Sequence, residues 1–146
     1  EYILSDVART WHNAIFKNYD KYNKGNYDFN DAIAAYYADS DNKTSIDQFK
    51  STTKTTLDNL VTELQNPPDE YSNIYDAFID AYSVFSSSYE LSINPTGSYT
   101  TYTDRISELS QSFSEKYSVL KAMYPDIADS PKALMDDITS ALNNSK

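Results

Sequence analysis

The sequence predicts an all-α protein: an up-down antiparallel bundle of three long helices, with a first helix and short accessory helices. Only 2 glycines occur in 146 residues, which disfavours the tight hairpin turns of all-β folds. Apolar residues recur at spacings of three and four in successive segments, as in amphipathic helices. Hydrophobic residues make up 40% of the chain, enough for one core, so residues 1–146 are expected to form a single domain.

The N-terminal segment predicts an amphipathic helix that ends in a turn. Its apolar stripe consists of Leu4, Val7, Ala8, Trp11, Ala14, Ile15 and Tyr19. The turn-forming residues from Asn23 to Asn26 follow. A short second helix then contributes inward positions at Phe29, Ile33 and either Tyr36 or Tyr37. The polar residues from Asp39 to Thr44 are expected to interrupt the helical pattern again.

A longer helix is predicted to begin at Ser45, since Ser45 and Gln48 have the spacing of a capping box. Its stripe consists of Ile46, Phe49, Thr53, Leu57, Leu60, Val61 and Leu64. Pro67 and Pro68 should end this helix and begin the next, because proline disfavours helical geometry in the residue before it but is tolerated in a first turn.

Two further long helices complete the predicted bundle. The first carries Tyr71, Ile74, Tyr75, Phe78, Tyr82, Phe85 and Tyr89 and should stop before Pro95. Ser98 is expected to cap the second, whose stripe is Tyr99, Tyr102, Ile106, Leu109, Phe113, Tyr117, Leu120 and Tyr124. The short connection requires the two helices to pack antiparallel. A last short helix after Pro131 would carry Leu134, Ile138 and Leu142.

The charge of the chain restricts its partners. The formal net charge is −10, from 22 acidic and 12 basic residues, so nucleic acids and anionic lipid surfaces should be repelled. No apolar run reaches the length of a membrane span, so any membrane contact is expected through an anchor upstream of residue 1. There is no cysteine, which excludes thiol chemistry.

The 14 tyrosines have two interpretations. Stacked rings could line a groove for a sugar, a peptide or an aromatic ligand, but spacings of three and four favour core positions whose hydroxyls reach the bundle edge. Tyrosines off the stripes, namely Tyr22, Tyr27 and one of Tyr36 or Tyr37, are better candidates for surface contacts. The predicted contact surface combines the loop and the turn that flank the second helix: Tyr22, Tyr27, Asp28, Asp39 and Asp41.

The sequence offers little equipment for catalysis or metal binding. Residues 20–31 partly match a calcium loop, but Tyr22 and Lys24 occupy positions that need oxygen ligands, so no metal site is predicted and cation binding by this loop stays open. His12 is the only histidine. The carboxylate pairs Asp76 with Asp80 and Asp104 with Glu108 should lie on solvated faces, where they make poor general acids. No cofactor and no enzymatic activity are expected.

Two proline-containing helix junctions carry a resemblance to a known family. The segment from Asn66 to Tyr71, the Tyr-rich helix after it and the segment from Asn94 to Ser98 resemble a family of exported, surface-anchored helical proteins of Gram-positive bacteria. Residues 28–32 also resemble that family's second helix. The resemblance implies a place at the cell surface, held by an anchor outside this chain, and implies no activity, cofactor or catalytic residue.

The sequence therefore predicts a non-enzymatic extracytoplasmic domain that acts as an interaction or spacer module of a cell-surface protein. Its partner would be another protein or a component of the cell envelope; the oligomeric state stays open. The alternative is a small-ligand-binding or sensory helical bundle. Its pocket would lie between the long helices and be lined by Tyr75, Tyr82, Tyr102 and Phe113.

Overall fold

The predicted all-α fold is confirmed. A computed structural model describes residues 2–18, 21 and 28–123, without the side chains of Phe29 and Glu70. The described residues form six α-helices, with a π-helical turn at Lys50–Lys54 and a 3-10 turn at Asp69–Tyr71. The α-helices are α1 (Tyr2–Lys17), α2 (Phe29–Ala38), α3 (Ser40–Phe49), α4 (Thr55–Glu63), α5 (Ser72–Ile93) and α6 (Tyr99–Met123). The predicted short helix after Pro131 lies outside the described residues.

Helices α5 and α6 form the antiparallel hairpin that the short connection predicts. An ion pair of 2.7 Å between Lys116 Nζ and Asp80 Oδ2 joins the two helices far from their turn, which is possible only if they run in opposite directions. The predicted cap at Ser98 is confirmed: Ser98 Oγ accepts from the Thr101 N–H at 3.2 Å, and Thr101 Oγ1 accepts from the Ser98 N–H at 2.8 Å. This reciprocal pair satisfies free donors at the start of α6.

The hydrophobic core lies where α1 and α2 cover the hairpin near its turn. Its buried members are Leu4, Val7, Trp11, Tyr36 and Tyr102. The rings of Trp11 and Tyr102 meet edge to face with centroids 5.4 Å apart, a favoured aromatic arrangement. Contacts of Trp11 with Tyr102 and of Phe16 with Tyr99 show that α1 runs antiparallel to α6. Several tyrosines of the predicted stripes therefore fill the interior.

The expectation that Tyr36 or Tyr37 faces solvent is wrong. Tyr36 is 2% exposed, and the Tyr37 hydroxyl donates to the Ser92 carbonyl oxygen of α5 at 2.6 Å. Burial is the main cause that raises the pKa of Tyr37, with a smaller contribution from Tyr102. Tyr36 belongs to the core with Trp11 and Tyr102. Tyr37, the next residue, is half-buried because it points toward α5.

The predicted interruption from Asp39 to Thr44 is shorter than expected: only Asp39 leaves the helical geometry, because α3 begins at Ser40. The Asp39 carboxylate accepts from the N–H groups of Asp41 and Asn42, both at 3.2 Å, so it is the N-cap. Ser45 lies within the helix, and its hydroxyl donates to the Asp41 carbonyl at 2.9 Å. The sequence contains two competing start signals, and the earlier one begins the helix.

A π-helical turn at Lys50–Lys54 joins α3 to α4. The hydroxyls of Ser51 and Thr52 both donate to the Gln48 carbonyl, at 3.1 and 2.7 Å, and Thr55 Oγ1 donates to the Lys50 carbonyl at 3.0 Å. Side-chain hydroxyls that bond back to carbonyls loosen the regular ladder, and π turns add one residue to a helix. The change of register directs the side chains of Lys54 and Asp58 toward α5.

Packing is uneven along the molecule. None of the residues from Ser40 to Glu63 is buried, whereas α1 alone buries five, including Leu4 and Trp11. Ile15, expected on the inward stripe of α1, is 39% exposed, and the inward position predicted for Tyr19 and for the Phe29 side chain lies outside the described residues. In the described part of the chain no helix has the length and apolar character needed to cross a membrane.

Candidate functional site

Two of the three described members of the predicted contact surface serve as helix caps, and the third lies in a first helical turn. Asp28 Oδ1 accepts from the Asn30 N–H at 2.8 Å and from the Asp31 N–H at 3.3 Å, which caps α2. Asp39 caps α3 in the same way. Asp41 is exposed in the first turn of α3, where its negative charge is favourable against the helix dipole. Tyr22 and Tyr27 lie outside the described residues.

The predicted contact surface is not one cluster among these residues. Asp28 and Asp39 flank the two ends of α2, so they are about 16 Å apart at a helical rise of about 1.5 Å per residue. The loop before α2 and the start of α3 therefore do not converge through their carboxylates. A partner contact by any of the five residues stays a prediction.

The candidate groups for acid–base or metal chemistry are dispersed. The carboxylates of Asp76, Asp80, Asp104 and Glu108 are exposed, as predicted. Asp80 pairs with Lys116, and Glu108 pairs with Arg105 at 2.9 Å. Among the residues that the structure describes, no three histidine or carboxylate side chains gather as metal ligands do. Most of the partial calcium loop at residues 20–31 lies outside that part of the chain.

Two of the four residues predicted to line a pocket, Tyr102 and Phe113, lie at different levels of the bundle. Tyr102 belongs to the core beside Trp11, and Phe113 stacks on Tyr117 with centroids 6.1 Å apart. Because α6 rises about 1.5 Å per residue, Tyr102 and Phe113 are about 16 Å apart along it. They therefore cannot enclose one small ligand together.

A shallow groove of about 690 Å³ lies instead along the hairpin beside its turn. It is lined by Ser86, Ser87, Glu90, Leu91, Asn94, Thr96, Gly97, Thr101 and Arg105. The groove contains no aromatic face and is open to solvent, whereas small-molecule sites usually enclose most of their ligand. It therefore gives little support to the ligand-binding alternative.

One surface with exposed apolar side chains lies near the α5–α6 turn. We call it the turn-end surface, and it consists of His12, Ile15, Phe16 and Tyr99. The rings of His12, Phe16 and Tyr99 contact one another, with centroids 5.1 to 5.8 Å apart. Phe16 remains 63% exposed. Because the three rings pack on each other, they form a platform and leave no space between them for an enclosed ligand.

A second such surface lies at the opposite end of the hairpin. We call it the far-end patch, and it consists of Leu64, Tyr71, Val119 and Met123, whose exposed fractions are 40, 55, 49 and 49%. Leu64 follows α4, Tyr71 precedes α5, and the other two lie in the last turns of α6. Leu64 and Tyr71 flank the link before α5, and α6 runs antiparallel to α5, so all four positions lie toward the end of the hairpin away from its turn.

The two surfaces account for most of the exposed large apolar side chains. Seven such residues occur in the described chain: Tyr2, Ile15, Phe16, Leu64, Tyr71, Val119 and Met123. All except Tyr2 belong to the turn-end surface or the far-end patch. From Tyr99 to Met123, α6 spans about 36 Å, so the chain presents apolar contacts at both ends of a rod of that length.

A polar cluster that sequence analysis missed connects α4 to α5. Lys54 Nζ lies 2.6 and 2.8 Å from the two carboxylate oxygens of Asp58, and the Tyr82 hydroxyl donates to Asp58 Oδ1 at 2.5 Å. Lys54 Nζ also lies 5.7 and 5.6 Å from the ring centroids of Tyr82 and Tyr89, within range of cation–π attraction. Only the spacing of Lys54 and Asp58 was visible in the sequence.

The cluster changes the titration of its two charged groups. Desolvation opposes both charges, but the hydrogen bonds from Lys54 and Tyr82 outweigh it and lower the pKa of Asp58. Desolvation likewise opposes the ammonium of Lys54, and the hydrogen bonds to Asp58 and Tyr82 outweigh it and raise its pKa. Both groups therefore hold their charges at neutral pH and connect the weakly packed α4 to α5.

Asp58→Asn is expected to lower the free energy of unfolding by about 1 kcal/mol at pH 7, a modest value because Asp58 is partly exposed. A carboxyl whose pKa is lowered by folding stabilises the protein above its unfolded pKa, near 3.8, and loses that effect as pH falls through the lower folded pKa. The loss in free energy of unfolding caused by Asp58→Asn should therefore be constant from about pH 5 up to the pH at which Lys54 loses its proton. It should shrink below about pH 3.8. Urea unfolding at several pH values measures it.

Asp47→Asn is the matched control for this prediction. Asp47 pairs with Lys43 at the same spacing, but both side chains are well exposed, and no tyrosine hydroxyl of the described residues joins them. We expect a change below about 0.5 kcal/mol at pH 7. Equal effects of the two substitutions would show that the contact with Tyr82 adds nothing to the stability of the Lys54–Asp58 pair.

Comparison with protein-family models, with curated proteins and with solved structures finds no match to this chain. The geometry of its own residues is therefore the basis for a functional proposal.

Proposed function

We propose that this chain is a non-enzymatic interaction and spacer module that contacts one partner at each end of the α5–α6 hairpin. The observation that carries the proposal is the concentration of exposed large apolar side chains in the turn-end surface and the far-end patch. Apolar side chains that cluster at the surface are typical of protein interaction sites, whereas single ones are ordinary.

The middle of the rod has the opposite character. Exposed positions there are polar or charged, such as Arg105, Glu108 and Gln111 on α6, and their side chains bond within the helix. Surfaces of this kind stay hydrated and rarely dominate binding energy. The contrast between ends and middle favours contacts at the two ends over a continuous lateral interface.

The hairpin also has the stiffness that a spacer needs. Its two long helices act as one rod of about 36 Å. They are joined by the ion pair of Lys116 with Asp80 and by buried residues such as Ala81, Leu109 and Leu120. Partners at its ends would be held at a fixed separation, which a flexible linker cannot provide.

The proposed location is outside the membrane, at the surface of a Gram-positive cell. It rests on the two proline-containing junctions between residues 66 and 98 and on their resemblance to exported helical proteins. Exposure of the chain to protease added to intact cells tests this part of the proposal.

Site-specific photo-crosslinking in the cells that produce the protein tests the two-ended module. A photoreactive amino acid replaces Phe16, Met123 or, as a matched control in the middle of α6, Glu108. We expect a discrete crosslinked product from each end position, with a different partner for each, and none from Glu108. Crosslinks of equal yield from all three positions, or none from either end, would contradict the proposal.

A further inference from the structure

We propose that residues 40–63, which we call the strap, open from α5 as one unit while α1, α2, α5 and α6 stay folded. The strap comprises α3, the π-helical turn and α4. The inference is independent of the proposed function, because it concerns a motion within the chain and requires no partner. Proteins open in this way at segments that bury few side chains.

The strap is one helical segment between two breaks in the helical backbone. Lys50 and Lys54, where the π-helical turn begins and ends, both have right-handed helical φ and ψ, so α3 and α4 are joined without a break. Before the strap, Asp39 is extended, with a ψ of 133°. After it, α4 ends at Glu63, and Pro68 has a ψ of 149°. Non-helical residues at both ends can absorb the rotation of the segment, as hinges do.

The strap contributes little to the hydrophobic core. None of its residues is buried, whereas all the buried hydrophobic residues of the described chain lie in α1, α2, α5 and α6. Those four helices also pack on one another without the strap. Because buried apolar surface supplies most of the free energy of folding, detaching the strap should require less free energy than unfolding the core.

The first anchor of the strap is apolar and lies in α3. Ile46 and Phe49 are half-buried. Ile46 packs against the core cluster, and the ring centroid of Phe49 lies 6.2 and 6.1 Å from those of Phe85 and Tyr89, within the range of aromatic contacts. Residues three apart share one helix face. Opening should therefore break the contacts of Ile46 and Phe49 together and uncover the rings of Phe85 and Tyr89.

The second anchor is polar and joins α4 to α5. The Tyr82 hydroxyl donates to Asp58 Oδ1 at 2.5 Å, and Lys54 Nζ lies 5.7 and 5.6 Å from the ring centroids of Tyr82 and Tyr89. The ion pair of Lys54 with Asp58 lies within the strap, so it can persist when the strap opens. Opening breaks the hydrogen bond from Tyr82 and the cation–π contacts. These few contacts hold the closed position in place of a buried apolar surface.

Native-state hydrogen exchange of the full chain in low concentrations of urea, followed by NMR, tests the inference. We expect the hydrogen-bonded amides of α3 and α4 to share one protection factor, at least about tenfold below that of the slowest amides of α1 and α6. Exchange in the strap should also depend weakly on urea, because its opening exposes little surface, whereas exchange by global unfolding depends steeply on urea.

Two outcomes of this experiment would overturn the inference. Equal protection and equal urea dependence in the strap and in the core would mean that the strap leaves α5 only when the whole chain unfolds. Protection that falls steadily toward one end of the strap would mean that the helix frays from that end, so residues 40–63 would not open as one unit.

Tyr82→Phe tests the polar anchor, because it removes the hydrogen bond to Asp58 and keeps the ring. We expect the amides of the strap to exchange about fivefold faster in this variant. The matched control is Tyr75→Phe, since Tyr75 is also half-buried on α5 and its hydroxyl bonds to no described residue of the strap. The control should change the exchange rate by less than about twofold. Equal effects of the two substitutions would remove Tyr82 as an anchor.

Leu109→Ala separates opening of the strap from global unfolding. Leu109 is buried on α6, which packs against α5 and α1. The substitution should make the slowest core amides exchange about tenfold faster or more, but leave the strap within about twofold, because the strap opens while the core stays closed. Equal acceleration of both groups of amides would refute the inference. If this variant does not fold, the urea dependence measured on the wild type decides the question by itself.

Discussion

Trp11→Ala is expected to lower the free energy of unfolding by about 3–5 kcal/mol, the largest effect of any substitution considered for this chain. Trp11 is 4% exposed, and it belongs to the cluster that joins α1 to α2 and α6. Its removal leaves a cavity next to Tyr102 and takes away the edge-to-face contact of their rings. A loss of this size is a large share of the stability of a typical domain. Urea unfolding followed by circular dichroism measures it, because the substitution removes the only tryptophan.

Tyr102→Phe is the control in the same cluster. Burial raises the pKa of Tyr102, and its hydroxyl has no hydrogen-bond partner within the part of the chain that the structure describes. Removing an unpaired buried hydroxyl is close to neutral or stabilising, so we expect a change within about 0.5 kcal/mol. A cost above about 1.5 kcal/mol would mean that this hydroxyl is bonded in solution. A small effect of Trp11→Ala would contradict the position of the core.

Gly97→Ala is expected to cost about 2 kcal/mol, an unusually large effect for an exposed position. Gly97 has a φ of +87°, which alanine adopts only with strain. A Cβ atom added there would lie 2.5 Å from Thr101 Oγ1, so Thr101 would have to leave its place in the cap with Ser98. The substitution therefore adds backbone strain and also removes a helix cap. Urea unfolding of the variant measures the sum.

A double-mutant cycle with Thr101→Ala separates the two causes. Without the Thr101 hydroxyl there is no close contact and the cap is already reduced, so Gly97→Ala should cost about 1 kcal/mol less in that background. Only the strain of the positive φ would remain. If Gly97→Ala costs the same in both backgrounds, the contact with Thr101 contributes nothing and backbone strain explains the whole effect.

Local signals predicted several helix ends correctly. The stop of α5 before Pro95 and the cap at Ser98 both depend on residues a few positions apart, so they can be recognised in the sequence. The start of α3 shows the limit of this approach. Asp39 and Ser45 are both acceptable N-caps, and the choice between them depends on whether the helix that starts at Ser40 gains contacts with its neighbours.

Side-chain burial was only partly predictable. The spacing of apolar residues identified Leu4, Trp11 and Tyr102 as core positions, but it also placed Ile15 inside and one of Tyr36 or Tyr37 outside. Helical periodicity gives the side of a helix on which a residue lies, whereas burial depends on which neighbours cover that side. Helix α2 has neighbours on two sides, and α1 is uncovered near Ile15.

The sequence by itself determined the fold class, the main helices, the antiparallel hairpin and the acidic character of the chain. These follow from local periodicity, capping residues, short connections and charge. Only the tertiary structure decided that Lys54 and Asp58 meet Tyr82 and that exposed apolar residues collect at the two ends of the rod. The physical reason is that Asp58 and Tyr82 are 24 residues apart along the chain and meet only when α4 packs against α5.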